Sequence, residues 1–274
     1  MPVIFISRGT MSGVHFLVDC LHERTGIRCI SREDLTKIVN QQGAIATRVL
    51  EKLAKATSAY DQFSELRWPY MVLMREALLE EIRADNVIYH GYSGHLMLPI
   101  LRHFVRVRIE APLDLRIKMT MQRLDCDEAM AREYIIDADD HRVKWARFMY
   151  GADIRNTLLY DIHLNQERFS MAGACKFLEG ILAAEDFQAS AESQKEVEQM
   201  YLAVRVEVAL VTNPRTQAFE ISAVAQNGGI LLTGPYLEDS ELDTIKAIAL
   251  GVDGVEKVTY RPGYTSKMEV NEIY

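Results

Sequence analysis

At 274 residues the chain is long enough for one large domain or two. Hydrophobic residues make up 49% and charged residues 26%, an ordinary globular composition that excludes collagenous, disordered and low-complexity classes. The net charge of −8 argues against a general nucleic-acid binder, which is normally basic.

No apolar run reaches the roughly 20 residues of a membrane-spanning helix. The opening MPVIFIS is too short for a signal peptide and carries no basic leader. A cytoplasmic protein without a transmembrane segment is therefore expected. Cys20, Cys29, Cys126 and Cys175 are widely spaced with no CxxC pair, so reduced thiols are expected rather than a disulfide scaffold or a zinc site. The histidines show no metal spacing, and no protein-bound metal is expected.

Apolar runs alternate with helical patterns up to about residue 187, which predicts an α/β layer fold. Val3–Ile6 reads as a buried strand and 13–25 as a helix stopped by Gly26. Ile27–Ile30 is a second strand and 32–40 a short helix. Periodicity predicts helices over 43–66 and 70–84, separated at Trp68-Pro69. Asn86–Tyr89 is a strand entering the turn Gly91-Tyr92-Ser93-Gly94. Phe104–Glu110 alternates, with Val105, Val107 and Ile109 opposite Arg106, Arg108 and Glu110. Two readings of that strand stand: an edge strand with one solvated face, or arginines edging an anionic site. Helices follow over 113–123 and 127–150, then a short strand over Tyr160–Leu164. Ser170 caps a helix running to about Ala184.

The polar segment 189–195 reads as a linker or helix start. Val197, Tyr201, Val204, Val208 and Val211 then mark one helix face at steps of three and four. Phe219–Ala225 alternates as a strand, Asn227-Gly228-Gly229 is a hairpin turn, and Ile230–Thr233 returns. A helix over 239–250 and a strand over Val255–Tyr260 complete a helix–strand–strand–helix–strand order. That pattern is expected to close a small core and to fold alone over about 195–262.

Strand, glycine-bearing turn and helix over Val3–Leu17 is the layout of a phosphate-binding loop. Backbone N–H groups and a helix N-terminus supply positive charge to an anion there. Arg8, Gly9, Thr10, Ser12, Gly13, Val14 and His15 are the candidate phosphate-binding residues. The full motif also needs a lysine at the phosphates and a hydroxyl on Mg²⁺. Neither stands at the expected place, and such a turn also serves simply to reverse the chain.

Six pieces in order resemble the cytidylate kinase-like family, a branch of the nucleoside monophosphate kinases. They are Ile6-Ser7-Arg8 with Ser12-Gly13, then Ile30-Ser31-Arg32-Glu33-Asp34-Leu35, then Asn86–Gly91. The strand Val105–Glu110 with Ala111-Pro112 follows, then Asp139-Asp140-His141-Arg142, then Tyr160–Asn165. The resemblance covers about residues 2–184. It implies a P-loop kinase-like parallel sheet with flanking helices, with ATP and a pyrimidine monophosphate such as CMP as substrates. Phosphoryl transfer works mainly by positioning and charge neutralisation, so it wants arginines around the transferred group. Arg116, Arg123, Arg142 and Arg147 are the candidates for that role, with Arg32, Asp140 and Asp161 toward the substrate. A solvated face with salt bridges is the other reading of any one of these arginines.

Departures from the family pattern fall on the loop. Met11 replaces a glycine, Val14 stands where ordinary cytidylate kinases place the lysine, and Phe16 stands in place of the Mg²⁺ hydroxyl. Tyr92 replaces an arginine common in this branch. ATP and Mg²⁺ are the implied cofactors, and both are expected to bind weakly.

Residues about 198–262 resemble a BON domain. The match rests on Phe219–Ala225, on Gly228–Gly234 as a G-x-V-x-L-x-G hairpin, and on Val252-Asp253-Gly254-Val255-Glu256-Lys257-Val258 after a helix. Such domains are generally binding modules for lipids or other ligands. With few basic residues this copy should be drawn only feebly to anionic membranes, and an intramolecular, regulatory or oligomeric role is expected.

The expected layout is a kinase-like domain over 1–186, a small α+β BON domain over 195–262 and a tail over 263–274. The expected activity is phosphoryl transfer from ATP to a nucleoside monophosphate through a degenerate loop. The alternative is a non-catalytic regulator responsive to nucleotide or another ligand, with the BON domain as its binding module. The expected partners are a small-molecule nucleotide and, in a homo-oligomer, a second copy.

Overall fold

The computed structural model describes residues 2–41, 43–54, 64–226 and 228–263. The tail expected beyond Gly263, the middle of the helix expected over 43–66, and Asn227 of the hairpin turn lie outside the described residues. Contacts group the chain into two compact units that do not follow chain order. One joins residues 1–32 with 84–190, and the other joins 33–83 with 191 onward.

The first unit is built on five strands: β1 (Val3–Arg8), β2 (Arg28–Ser31), β3 (Val87–Gly91), β4 (Phe104–Glu110) and β5 (Ile162–Asn165). All neighbours pair in parallel, in the order β2-β3-β1-β4-β5. Parallel strands need crossovers, and the central strands β1, β3 and β4 are buried on both faces. Its helices are α1 (Val14–Thr25), α5 (Leu113–Leu124), α6 (Glu128–Tyr150) and α7 (Met171–Ala183). Leu17 and Leu21 of α1 and Cys175, Leu178 and Leu182 of α7 pack with Ile4, Ile6, Val105 and Val107 of the sheet in one buried cluster. Ser170 caps α7 as expected, its hydroxyl accepting from the Gly173 N–H at 3.1 Å.

Two expectations fail here. β4 is not an edge strand: it lies between β1 and β5. Its arginines are buried because each has a partner, Asp161 for Arg106 and Ser7 for Arg108. Nor are all the thiols reduced. Cys20 of α1 and Cys175 of α7 form a disulfide, 155 residues apart in sequence with Cα atoms 6.3 Å apart. Spacing along the chain carries no sign of it, because the pair is created by two helices packing on the same sheet face.

The second unit holds α2 (Arg32–Asn40) after its first residue, α3 (Ala44–Ala54) and α4 (Ser64–Ile82), with α8 (Ala191–Thr212), β6 (Ser222–Gln226), β7 (Gly229–Gly234), α9 (Asp239–Leu250) and β8 (Val258–Pro262). β6 and β7 are an antiparallel hairpin, and β8 joins β7 in parallel. Ala203, Val206 and Leu210 of α8 pack with Ile221, Ile230, Leu232, Ile245 and Ala249. Helix α4 does not break at Trp68-Pro69. It runs through Pro69, forgoing one backbone hydrogen bond, because Trp68 and Tyr70–Met74 are all buried in the helical conformation. It packs along α8, where Val197, Val204 and Val211 are buried in addition to the small core. Among the described residues no helix is long and apolar enough to cross a membrane.

Candidate functional site

The site lies in the first unit, where β1 and β4 end and the chain turns into α1. Ligands of open parallel sheets bind at such carboxyl ends. Gly13 caps α1 at φ +67°, a left-handed conformation that favours glycine. Met11 also takes a left-handed conformation, φ +55°. A side chain in this glycine-type backbone conformation costs roughly 1–2 kcal/mol.

Four side chains from outside the loop hold it. Arg142 of α6 donates to the Arg8 carbonyl at 3.1 Å. Arg116 of α5 donates to the Thr10 carbonyl at 3.3 Å and to the Asp139 carboxylate at 2.6 Å. Asp139 of α6 in turn accepts the Thr10 backbone N–H at 3.2 Å. Gln166, just past β5, donates its side-chain amide to the Ser12 carbonyl. Burial opposes the Asp139 charge, but the hydrogen bonds from Thr10 and Arg116 prevail and hold its carboxyl below the usual range.

Beside the loop is a cleft of about 500 Å³, within the ordinary size of a small-molecule site. Seven cationic side chains line it against three carboxylates, in a chain that is acidic overall. Burial and the nearby Arg8 guanidinium push Arg142 below the usual arginine range. A packed group of like charges of this kind is stabilised by an anion.

Of the phosphate-loop candidates, Arg8 and Gly9 line the cleft. The Thr10 and Ser12 hydroxyls are buried and make no hydrogen bond among the described residues. Val14 is 1% exposed and belongs to the core, while Phe16 is 66% exposed. Neither side chain can ligate magnesium, and among the described residues no cluster of metal-ligating groups exists. His15 Nε2 lies 2.9 Å from Arg8 Nη1. A guanidinium only donates, so that nitrogen accepts and offers nothing to a phosphate.

Arg116, Arg142 and Arg147 all line the cleft, Arg147 while paired to Asp153 at 2.7 Å. Arg123 approaches the Met11 sulfur at 4.0 Å. Among the substrate-side candidates, Asp140 lines the cleft and pairs with Lys144. Asp161 is committed to Arg106, taking its guanidinium at 2.7 and 3.1 Å and its backbone N–H at 2.8 Å. Arg32 lies over the Tyr92 ring at 5.0 Å and the Trp145 ring at 5.6 Å. Tyr92 also faces Arg142 at 5.5 Å, so two guanidiniums approach its ring.

Arg108, also in the cleft lining, donates from Nη1 to the Ser7 hydroxyl at 3.1 Å, and its guanidinium faces the Tyr160 ring. His95, its ring 4.7 Å from that of Tyr160, is pushed down to about 3 by burial, then by Arg106 and Arg108. Sequence reasoning singled out neither Ser7 nor Gln166 for the site, and it placed Asp140 ahead of Asp139. A signal existed for the last. Ala131, Ile135, Asp139, Arg142, Ala146 and Met149 recur at helical steps of three and four, which puts Asp139 on the inward stripe and Asp140 beside it.

Residues 3–168 match the model of the cytidylate kinase-like family, and residues 201–261 match that of the BON domain. A cytidylate kinase from Methanothermobacter thermautotrophicus is 23% identical over 158 residues, covering 58% of this chain and 91% of that protein. An uncharacterized protein from Eubacterium ventriosum, known from its crystal structure, superposes with a TM-score of 0.51 at 16% identity, over 66% of this chain and 98% of its own.

Proposed function

The chain belongs to the cytidylate kinase-like family, and on that premise we propose that its arginine-lined cleft binds a phosphorylated nucleotide and transfers the terminal phosphoryl group of ATP to a nucleoside monophosphate such as CMP. The observation that carries this reading is the convergence of Arg8, Arg116 and Arg142 on one strand–loop–helix turn. In the reaction an acceptor phosphate oxygen bonds to the γ-phosphorus as the bond to the β,γ-bridging oxygen breaks, giving two diphosphates. Charge accumulates on the equatorial oxygens during transfer, and positioned guanidiniums neutralise it. Arg142 and Arg116 are fixed for that task by the loop carbonyls they hold.

The loop has lost one charge-assisted contact at position 14. Such contacts contribute about 1.5–3 kcal/mol, or roughly tenfold to a hundredfold in affinity. Magnesium does not fit residues 14 and 16, so no step is assigned to a protein-held metal. Triphosphate binding should be weak and transfer slow. The test is incubation of the chain with ATP and CMP, following CDP and ADP by chromatography. Their formation, lowered at least about tenfold in Arg116→Ala and Arg142→Ala, supports the reading.

Val14 in the core and Phe16 on the surface favour a second reading, a non-catalytic nucleotide-responsive regulator with the BON domain as binding module. Nucleotides would then raise the melting temperature by mass action while no CDP forms.

A further inference from the structure

Asp139 occupies the loop in the manner of a ligand. One carboxylate oxygen takes the Thr10 backbone N–H and the other takes Arg116, two donors that a bound phosphate would also use. The remaining donors of the turn exceed what a carboxylate can satisfy. The Thr10 and Ser12 hydroxyls, 3% and 2% exposed, and the Nε atoms of Arg8 and Arg116 are buried and make no hydrogen bond among the described residues. A carboxylate brings two acceptor oxygens, whereas a terminal phosphoryl group brings three with more charge. The turn is thus closed on an internal anion and under-filled by it.

We propose that Asp139 is an internal competitor for the phosphate position, so that a phosphoryl group enters the loop by exchange with this carboxylate. The inference rests on the reading of the cleft as a phosphate site. It assigns regulation of that site to a residue of α6: whatever draws Asp139 from Thr10 opens the loop. On entry the phosphoryl oxygens take the Thr10 N–H and the Arg116 guanidinium, and the hydroxyls of Thr10 and Ser12 gain an acceptor. Asp139 moves to the cleft side, where its side chain is already 36% exposed.

The experiment is calorimetric titration of inorganic pyrophosphate into the full chain and into Asp139→Asn and Asp139→Ser. Removing the competing charge should tighten pyrophosphate binding about tenfold in both variants, the low end of the range for a charge-assisted contact. A melting curve on each variant checks the fold. A Glu167→Gln variant serves as a charge control at an exposed site outside the cleft lining, and tightening in the Asp139 variants but not in Glu167→Gln supports exchange. Equal or weaker binding by the variants would overturn the exchange and leave the cleft reading intact. No binding by any of the proteins at millimolar pyrophosphate would overturn the cleft reading, and this inference with it.

Discussion

Arg75 on α4 and Glu207 on α8 form an ion pair buried on both sides, with side-chain exposures of 11% and 3%. Glu207 also accepts the Ala223 backbone N–H at 2.8 Å, so a single carboxylate ties α4 to α8 and α8 to the start of β6. Farther along, Arg83 takes Glu198 with two nitrogens at 2.8 Å and lies 4.2 Å from the Tyr201 ring. The helix that opens the BON module therefore has two buried sides.

Breaking a buried pair by removing one member costs about 3–5 kcal/mol, because the other charge stays buried and unpaired. Arg75→Met should destabilise the second unit by that amount in denaturant unfolding. Arg75→Met with Glu207→Gln should recover part of it, since Gln still accepts from Ala223. A fragment of 195–262 lacks α4, uncovers Val197, Val204 and Val211, and should melt without cooperativity unless residues 64–83 are supplied. A cooperative melt of the isolated fragment would show that its own core suffices, as the periodicity suggests.

His95 sets a pH dependence. Its pKa falls from 6.5 to about 3 in the folded state. Below pH 6.5 the unfolded chain takes up a proton that the folded chain refuses, so stability is full above that value and is lost progressively as pH falls toward 3. At pH 5 the loss is about 2 kcal/mol. His95→Gln should flatten the fall in melting temperature between pH 7 and 5, and an unchanged slope would show that the imidazole is hydrated.

The Cys20–Cys175 disulfide closes a long loop, and native disulfides contribute typically about 2–4 kcal/mol. Reduction, or Cys20→Ser, should lower stability by that order. The Cys29 thiol is pushed up to about 11 by burial and by Asp19, so it does not compete as a thiolate. Equal melting curves with and without reductant would show that the bridge adds nothing.

Much of the first unit was legible because its signals are local. Val3–Ile6, the Gly9–Gly13 turn and the periodic helix after it each declare themselves within a few residues. Ser170 could be read as a cap for the same reason. What failed was non-local. Arg106 and Arg108 look solvent-facing until Asp161 and Ser7, from β5's approach and from β1, satisfy them. Pro69 looks like a break until the burial on both sides of it is known. Asp139 and Asp140 differ by one position, and only the stripe through Ile135 and Arg142 tells which of them meets Thr10. The pairing of Glu207 with Arg75 joins residues 132 apart, beyond any window of sequence.

A titration of ATP into the wild-type chain and into Arg142→Ala, with and without Mg²⁺, tests the arginine-lined cleft most directly. Arg142 holds the Arg8 carbonyl and lines the cleft, while Val14 is buried in the core and exposed Phe16 carries no group that can ligate Mg²⁺. Wild type should bind with a dissociation constant in the high micromolar range or weaker. Mg²⁺ should change it little, and Arg142→Ala should weaken it at least about tenfold. Tight, Mg²⁺-dependent ATP binding that survives Arg142→Ala would contradict the account.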